Sequence, residues 1–326
     1  MTRRSNGPRS HLHLVPVLTC KASARMLNED TLTRRRRVLG DDHPDALSSA
    51  ANLASTLAEL GDLQRARALA EDTLTRMRRI HGDDYPDTLV SAANLVATLA
   101  DLGDVRGARA LAEDTLIRMR RVLGEDHPET LNSANTLAST LAELGDLQRA
   151  RELSEDTLTR RRRVLGEDHP DTLLSTANLA NRLTDLGDVW GARALDEDIL
   201  TRRRRILGDD HPDTLNSVAN LASRLAELGD VRGARALDED TLTRRRRILG
   251  EDHPDTLNSA NNLAATLAEL GDVRGARALA EDTLIRMRRV LGVDHPGTRD
   301  SEELVRQLGG RLSGRRRLGR QRGQGG

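Results

Sequence analysis

Phenylalanine is absent from this chain of 326 residues, and tryptophan, tyrosine, cysteine and lysine occur once each. With so few aromatics, burial has to come from many small contacts of leucine, alanine and valine, each removing less area from water. The lone cysteine, Cys20, excludes an intrachain disulfide and a thiolate metal cluster and fits a reducing cytoplasm. The lone lysine, Lys21, stands before Ala22, so there is no phosphate-binding loop ending in Lys-Ser/Thr. A nucleophile elbow is missing too. No run approaches the roughly 20 apolar residues of a membrane helix. The stretch from Leu12 to Leu18 imitates a signal sequence but is short and interrupted by His13 and Pro16. Charge of one sign is not in excess: 51 basic and 51 acidic residues cancel, which leaves no overall field to steer the molecule onto nucleic acid or a membrane.

What is plentiful is Ala, Leu, Arg and Glu, with few β-branched residues, a mixture that favours helix over sheet. The preference for Arg over Lys points to a GC-rich bacterial gene. The dominant pattern is a 42-residue period. His-Pro marks it at His43-Pro44, His127-Pro128, His169-Pro170, His211-Pro212, His253-Pro254 and His295-Pro296, and Tyr85-Pro86 fills the remaining slot. Gly-Asp keeps the same period at Gly61-Asp62, Gly103-Asp104, Gly145-Asp146, Gly187-Asp188, Gly229-Asp230 and Gly271-Asp272. Two breakers per period imply two helices per unit.

The first helix of a unit is expected from Pro44 to Leu60, with proline at its first position, Asp42 or His43 as cap and Asp45 at the positive end of the dipole. Leu47, Ala50, Leu53, Ala54, Leu57 and Leu60 form its apolar stripe. The second helix is expected from Leu63 to Ile80, with Ala66, Leu69, Ala70, Leu74, Met77 and Ile80 inward. Asp72 and Arg76, four apart, form a surface pair that recurs in the later units. Ala66, Ala108, Ala150, Ala192, Ala234 and Ala276 recur after each turn, where a small side chain lets two helices approach closely. One hairpin cannot bury its stripe alone, so neighbours must stack into a quasi-one-dimensional array. Six complete hairpins follow a half unit that starts at Ala22, and a capping helix runs from Pro296 to Leu308. Residues 1–21 are expected as a disordered leader, 22–308 as the array and 309–326 as a disordered Arg/Gly-rich tail.

The pattern at Leu263-Ala264, Leu267, Gly271-Asp272 and Ala276 resembles the tetratricopeptide motif, and the linker from Leu249 to Leu257 resembles the kinesin-light-chain type of that repeat. The family often carries aromatics where Leu57 and Ala70 stand, and Ala where Thr73 stands. The resemblance implies an all-α, right-handed superhelical solenoid whose inner face, lined by the first helices, takes extended or helical peptides. The implied groove positions are Asn52, Asn94, Asn178, Asn220 and Asn262, with Thr136 as the exception, then Ser55, Ser139, Asn181 and Ser223 three residues on. Asn amides can hold a peptide backbone without selecting a side chain. Arg182 and Arg224 replace the Thr of other copies, which suggests an acidic ligand group near them.

The expected function is therefore a cytoplasmic, non-enzymatic scaffold for a protein or peptide partner, with no cofactor and no metal. The periodic histidines lie a whole repeat apart, which favours capping over ligation, and adjacent Glu-Asp residues on a helix diverge too far for a carboxylate dyad. Two alternatives remain. The runs Arg34 to Arg37, Arg160 to Arg163, Arg202 to Arg205 and Arg244 to Arg247 form an edge that, with the tail, could contact a polyanion, although helix C-termini and the acidic linkers neutralise them locally and no aromatics are there to stack bases. Near-identical units could also self-associate end to end. Trp190 stands alone where other copies carry Arg or Gln.

Overall fold

The computed structural model describes residues 15–322 except Asp294. It consists of helices: α1 (Val15–Leu39), α2 (Pro44–Glu59), α3 (Leu63–His81), α4 (Pro86–Asp101), α5 (Val105–Val122), α6 (Pro128–Glu143), α7 (Leu147–Leu165), α8 (Pro170–Asp185), α9 (Val189–Leu207), α10 (Pro212–Glu227), α11 (Val231–Leu249), α12 (Pro254–Glu269), α13 (Val273–Val290) and α14 (Pro296–Arg322). Two compact units divide within α9, one spanning Val17–Leu195 and the other running on from Asp196.

Each first-type helix starts as its sequence dictates. Pro44 occupies the first turn of α2, and the Asp45 N–H donates to His43 Nδ1 at 3.2 Å. The same bond forms at His127, His169, His211 and His253. The periodic histidines are thus helix caps, with one ring nitrogen engaged. Tyr85 makes no such bond and stacks on His81 instead, ring centroids 4.7 Å apart. At the other end Gly61 adopts φ 79°, a left-handed conformation that ends the helix and lets the Asp62 N–H reach back to the Leu57 carbonyl.

Within each unit, every helix packs on the next, and first-type helices also pack on one another: α2 on α4, α4 on α6 and α6 on α8 in the N-terminal unit, α10 on α12 and α12 on α14 in the C-terminal one. Second-type helices meet the next of their kind through long side chains, as in the ion pairs of Arg65 on α3 with Glu29 on α1 and of Arg149 on α7 with Glu113 on α5. Each stack is therefore tighter on the first-helix side, which makes that side its inner face. Leu47, Ala50, Leu53, Ala54 and Leu57 are buried, as are Ala66, Ala70, Leu74 and Met77. Ala66, Ala108, Ala150, Ala192, Ala234 and Ala276 are all fully buried, as the close approach of two helices demands. Ile80, expected inward, is 40% exposed, as are Val122 and Ile248 at the same position of later repeats, at 40% and 43%.

The helices run past both expected array boundaries. α1 begins at Val15 rather than Ala22, with Pro16 harmless in its first turn. α14 continues to Arg322 rather than stopping at Leu308, since extending an existing helix adds one hydrogen bond per residue and arginine and leucine favour it. Residues 1–14 of the expected leader and 323–326 of the tail lie outside the described residues.

Candidate functional site

The inner face holds two clefts at equivalent places. In the N-terminal unit a cleft of about 260 Å³ opens between α2 and α4 over Ala70 of α3, lined by Ser55, Ala58, Glu59, Asn94 and Thr98 among others. In the C-terminal unit one of about 280 Å³ opens between α10 and α12 over Asp238 of α11, lined by Ser223, Ala226, Glu227, Asn262, Thr266 and Glu269 among others. Every lining residue of the second cleft has its counterpart four periods earlier in the lining of the first. Of the expected groove residues, Asn94 and Ser55 meet in the first cleft and Asn262 and Ser223 in the second. Asn52 on α2 and Asn220 on α10 are exposed at the same helix position, and Asn178 on α8 is half-buried. Asn181 is exposed one turn further along α8.

The two arginines expected to greet an acidic ligand are not alike. Arg182 is half-buried, its Nε 3.3 Å from Asp185. Arg224 is only 8% exposed, its Nε donating to Asp196 at 3.3 Å and its Nη1 to Glu227 at 3.2 Å. The expectation that Arg224 offers its charge to a ligand is therefore corrected: that charge is committed inside the fold.

Sequence reasoning missed the carboxylates beneath this face. Asp196 and Asp238, 2% and 3% exposed, occupy the column held by Ala70, Ala112, Ser154 and Ala280. The signal was a charge in a column of small residues. Asp238 Oδ2 accepts from the Thr266 hydroxyl at 2.7 Å. Burial pushes its carboxyl up from the usual range, and the Thr266 bond opposes this only in part. A folded-state value above the unfolded one means that the contribution of Asp238 to stability is complete below about pH 3.9 and is lost as pH rises through the folded value. Asp238→Ala should accordingly stabilise the chain by about 1–3 kcal/mol at pH 7, the usual cost of a buried, incompletely bonded polar group. The gain should vanish in denaturant titrations below about pH 4. A gain independent of pH would show that the charge is not its source.

The arginine runs also divide. Arg76 and Arg79 at the end of α3 both reach Asp42 in the preceding linker, the former at 3.0 Å. Arg118 and Arg121 share Asp84 at 3.1 and 2.6 Å, and Arg244 and Arg247 share Asp210 at 3.0 and 2.6 Å. Hydrogen bonds from Arg76 and Arg118 hold Asp42 and Asp84 below the usual carboxylate range. Arg161 and Arg245, in the middle of such runs, are buried at 1% and 4% exposure, in the column that holds Met77, Met119 and Met287. Trp190 is 67% exposed, with the Arg193 guanidinium 5.6 Å above its ring.

Antiparallel helix pairs stacked on a 42-residue period, with clefts between successive first helices, define an α-helical repeat solenoid. The chain belongs to the tetratricopeptide repeat family, whose models match residues 22–79, 88–129, 130–171, 172–213, 214–255 and 256–297. Its repeats are of the kinesin-light-chain kind. The kinesin light chain nearly identical TPR-like repeats of Podosopora anserina are 27% identical, with a TM-score of 0.56 over 63% of this chain and 97% of that one. BtubC (BKLC) from P. vanneervenii is 22% identical, with a TM-score of 0.57 over 72% of this chain and 94% of that one. NprR in complex with its cognate peptide NprX shares the fold at 14% identity, with a TM-score of 0.56 over 85% of this chain and 78% of that one. No curated protein matches the chain. Among the described residues no helix is long and apolar enough to cross a membrane.

Proposed function

We propose that the chain is a non-enzymatic scaffold of the bacterial cytoplasm that holds a peptide or protein segment against the first helices of its repeats. The observation that carries this reading is the recurrence of one cleft, four periods apart, with an exposed Asn amide and small alanine walls at each occurrence. Small walls admit a backbone, and an amide that both donates and accepts can pair with a peptide unit whatever its side chain. The similarity to NprR, which holds a peptide, supports the same reading. The polyanion alternative is less well supported, because ridge arginines such as Arg76, Arg118 and Arg244 already share linker aspartates.

The test is selection of random peptides displayed on phage against the intact chain and against N52A/N94A/N220A/N262A, four exposed positions whose truncation leaves the core untouched. The variant should bind the selected peptides at least about tenfold more weakly, a loss of about 1.4 kcal/mol. Equal binding by both would remove the groove, and nucleic-acid binding that falls steeply with salt would put the arginine edge in its place.

A further inference from the structure

Asp238 is 3% exposed and lines the C-terminal cleft. Its one hydrogen bond among the described residues is from Thr266 to Oδ2, which leaves Oδ1 without a donor. Thr266 does not depend on that bond, since its hydroxyl also lies 3.1 Å from the Asn262 carbonyl. A carboxylate taken out of water with no counter-charge is a standing cost unless something supplies the missing cation.

One period earlier the molecule shows what fits. Asp196 holds the same place on the preceding second helix, and there Arg224 brings a guanidinium to 3.3 Å and closes the site. At the next copy Thr266 stands where Arg224 stood. The shorter side chain vacates the guanidinium's volume, and the cleft of about 280 Å³ lies there. Glu269 flanks it with no cation of its own among the described residues, and Glu227 is already shared with Arg224. Ala222, Ala226 and Ala265 form walls that leave room for an aliphatic stem. The equivalent cleft of the N-terminal unit has Ala70 in place of the acid, so the chemistry is particular to this copy.

We infer that the cleft between α10 and α12 is a specificity pocket for a basic side chain, arginine or lysine, of the bound segment, whose cationic head takes the place beside Asp238 and Glu269 that Arg224 takes beside Asp196. The inference rests on the groove reading above and adds to it the chemistry of one ligand position. It also accounts for the retention of a buried acid where Ala70, Ala112 and Ala280 show that the fold accepts alanine.

The test uses the full chain and two variants. D238A installs the residue of three other copies, and T266R rebuilds the internal pair of Asp196 and Arg224. Peptides selected from a random library on the unmodified chain should carry Arg or Lys in excess at one position. Replacing that residue by Gln should weaken binding to the unmodified chain about tenfold or more and leave binding to D238A and T266R unchanged, as read by fluorescence anisotropy. Peptides that bind without a basic preference, or an Arg→Gln penalty that persists in D238A or T266R, would overturn the pocket and leave the groove standing. Failure of the chain to retain any peptide would overturn the groove and the pocket together.

Discussion

Replacing Arg161 by alanine should cost about 3–5 kcal/mol of stability, while replacing it by methionine should cost about 1 kcal/mol or less, by analogy with large-to-small and volume-conserving core substitutions. Arg161 is 1% exposed. Its Nη1 donates to the Asp171 carbonyl at 2.8 Å and to Ser175 Oγ at 2.9 Å, and its Nη2 bonds Asn132. The side chain thus ties α7 to the start of α8 and to α6 through neutral acceptors, and burial pulls its guanidinium down from the usual range, opposed in part by the charge of Asp171. Alanine would leave a void of nearly the whole side chain. Methionine fills the space, as Met77, Met119 and Met287 do in the same column. Ser175 keeps the Asn135 amide at 3.1 Å, and Asn132 is exposed and can turn to water. Urea titration of both variants checks the difference. Equal losses would show that the hydrogen bonds, rather than the packing, set the cost.

Arg224→Ala should be comparably damaging, at about 3–5 kcal/mol, because removing one partner of a buried pair strands the other charge. Asp196, 2% exposed, would lose the cation it meets at 3.3 Å. The double variant Asp196→Ala/Arg224→Thr should return to within about 1 kcal/mol of the starting chain, since an apolar replacement of a buried pair is often neutral. The repeat already contains this replacement as Ala70 with Thr98 and Ala112 with Thr140, all buried. Burial pushes the Asp196 carboxyl up even with Arg224 opposite. Without that arginine the carboxyl rises further, so the loss should be full at pH 7, shrink as pH falls through the raised folded value, and be smallest below about 3.9, the ordinary value of an unfolded aspartate. Repeat arrays need not unfold in one step, so hydrogen exchange in α10 and α11 should be read beside the denaturant curve. A double variant as unstable as the single one would mean that the pair is not what holds this repeat.

Hairpins, caps and the alanine seam were legible in the sequence because each depends on a local rule repeated at a fixed spacing. His43 caps α2, Gly61 ends it, and Ala66 permits close packing whatever the rest of the chain does. The inner face and its asparagines followed from the resemblance to the family, and the clefts gather Asn94 and Asn262 on it. The fate of individual charges was not legible. Arg160, Arg161 and Arg163 stand almost side by side in one run, yet Arg160 and Arg163 meet Asp126 in the preceding linker while Arg161 is buried beneath α8. Helical rotation carries neighbours to different faces, and only packing against the next repeat says which face is dry. For the same reason Arg224, which the sequence offers as a ligand contact, is spent on Asp196, while Asp238 is left with an open oxygen over a cleft. Local periodicity determined where the helices of the repeats begin and end, whereas the ownership of each buried charge was settled by residues 10 to 29 positions away on neighbouring helices, which only the tertiary structure brings together.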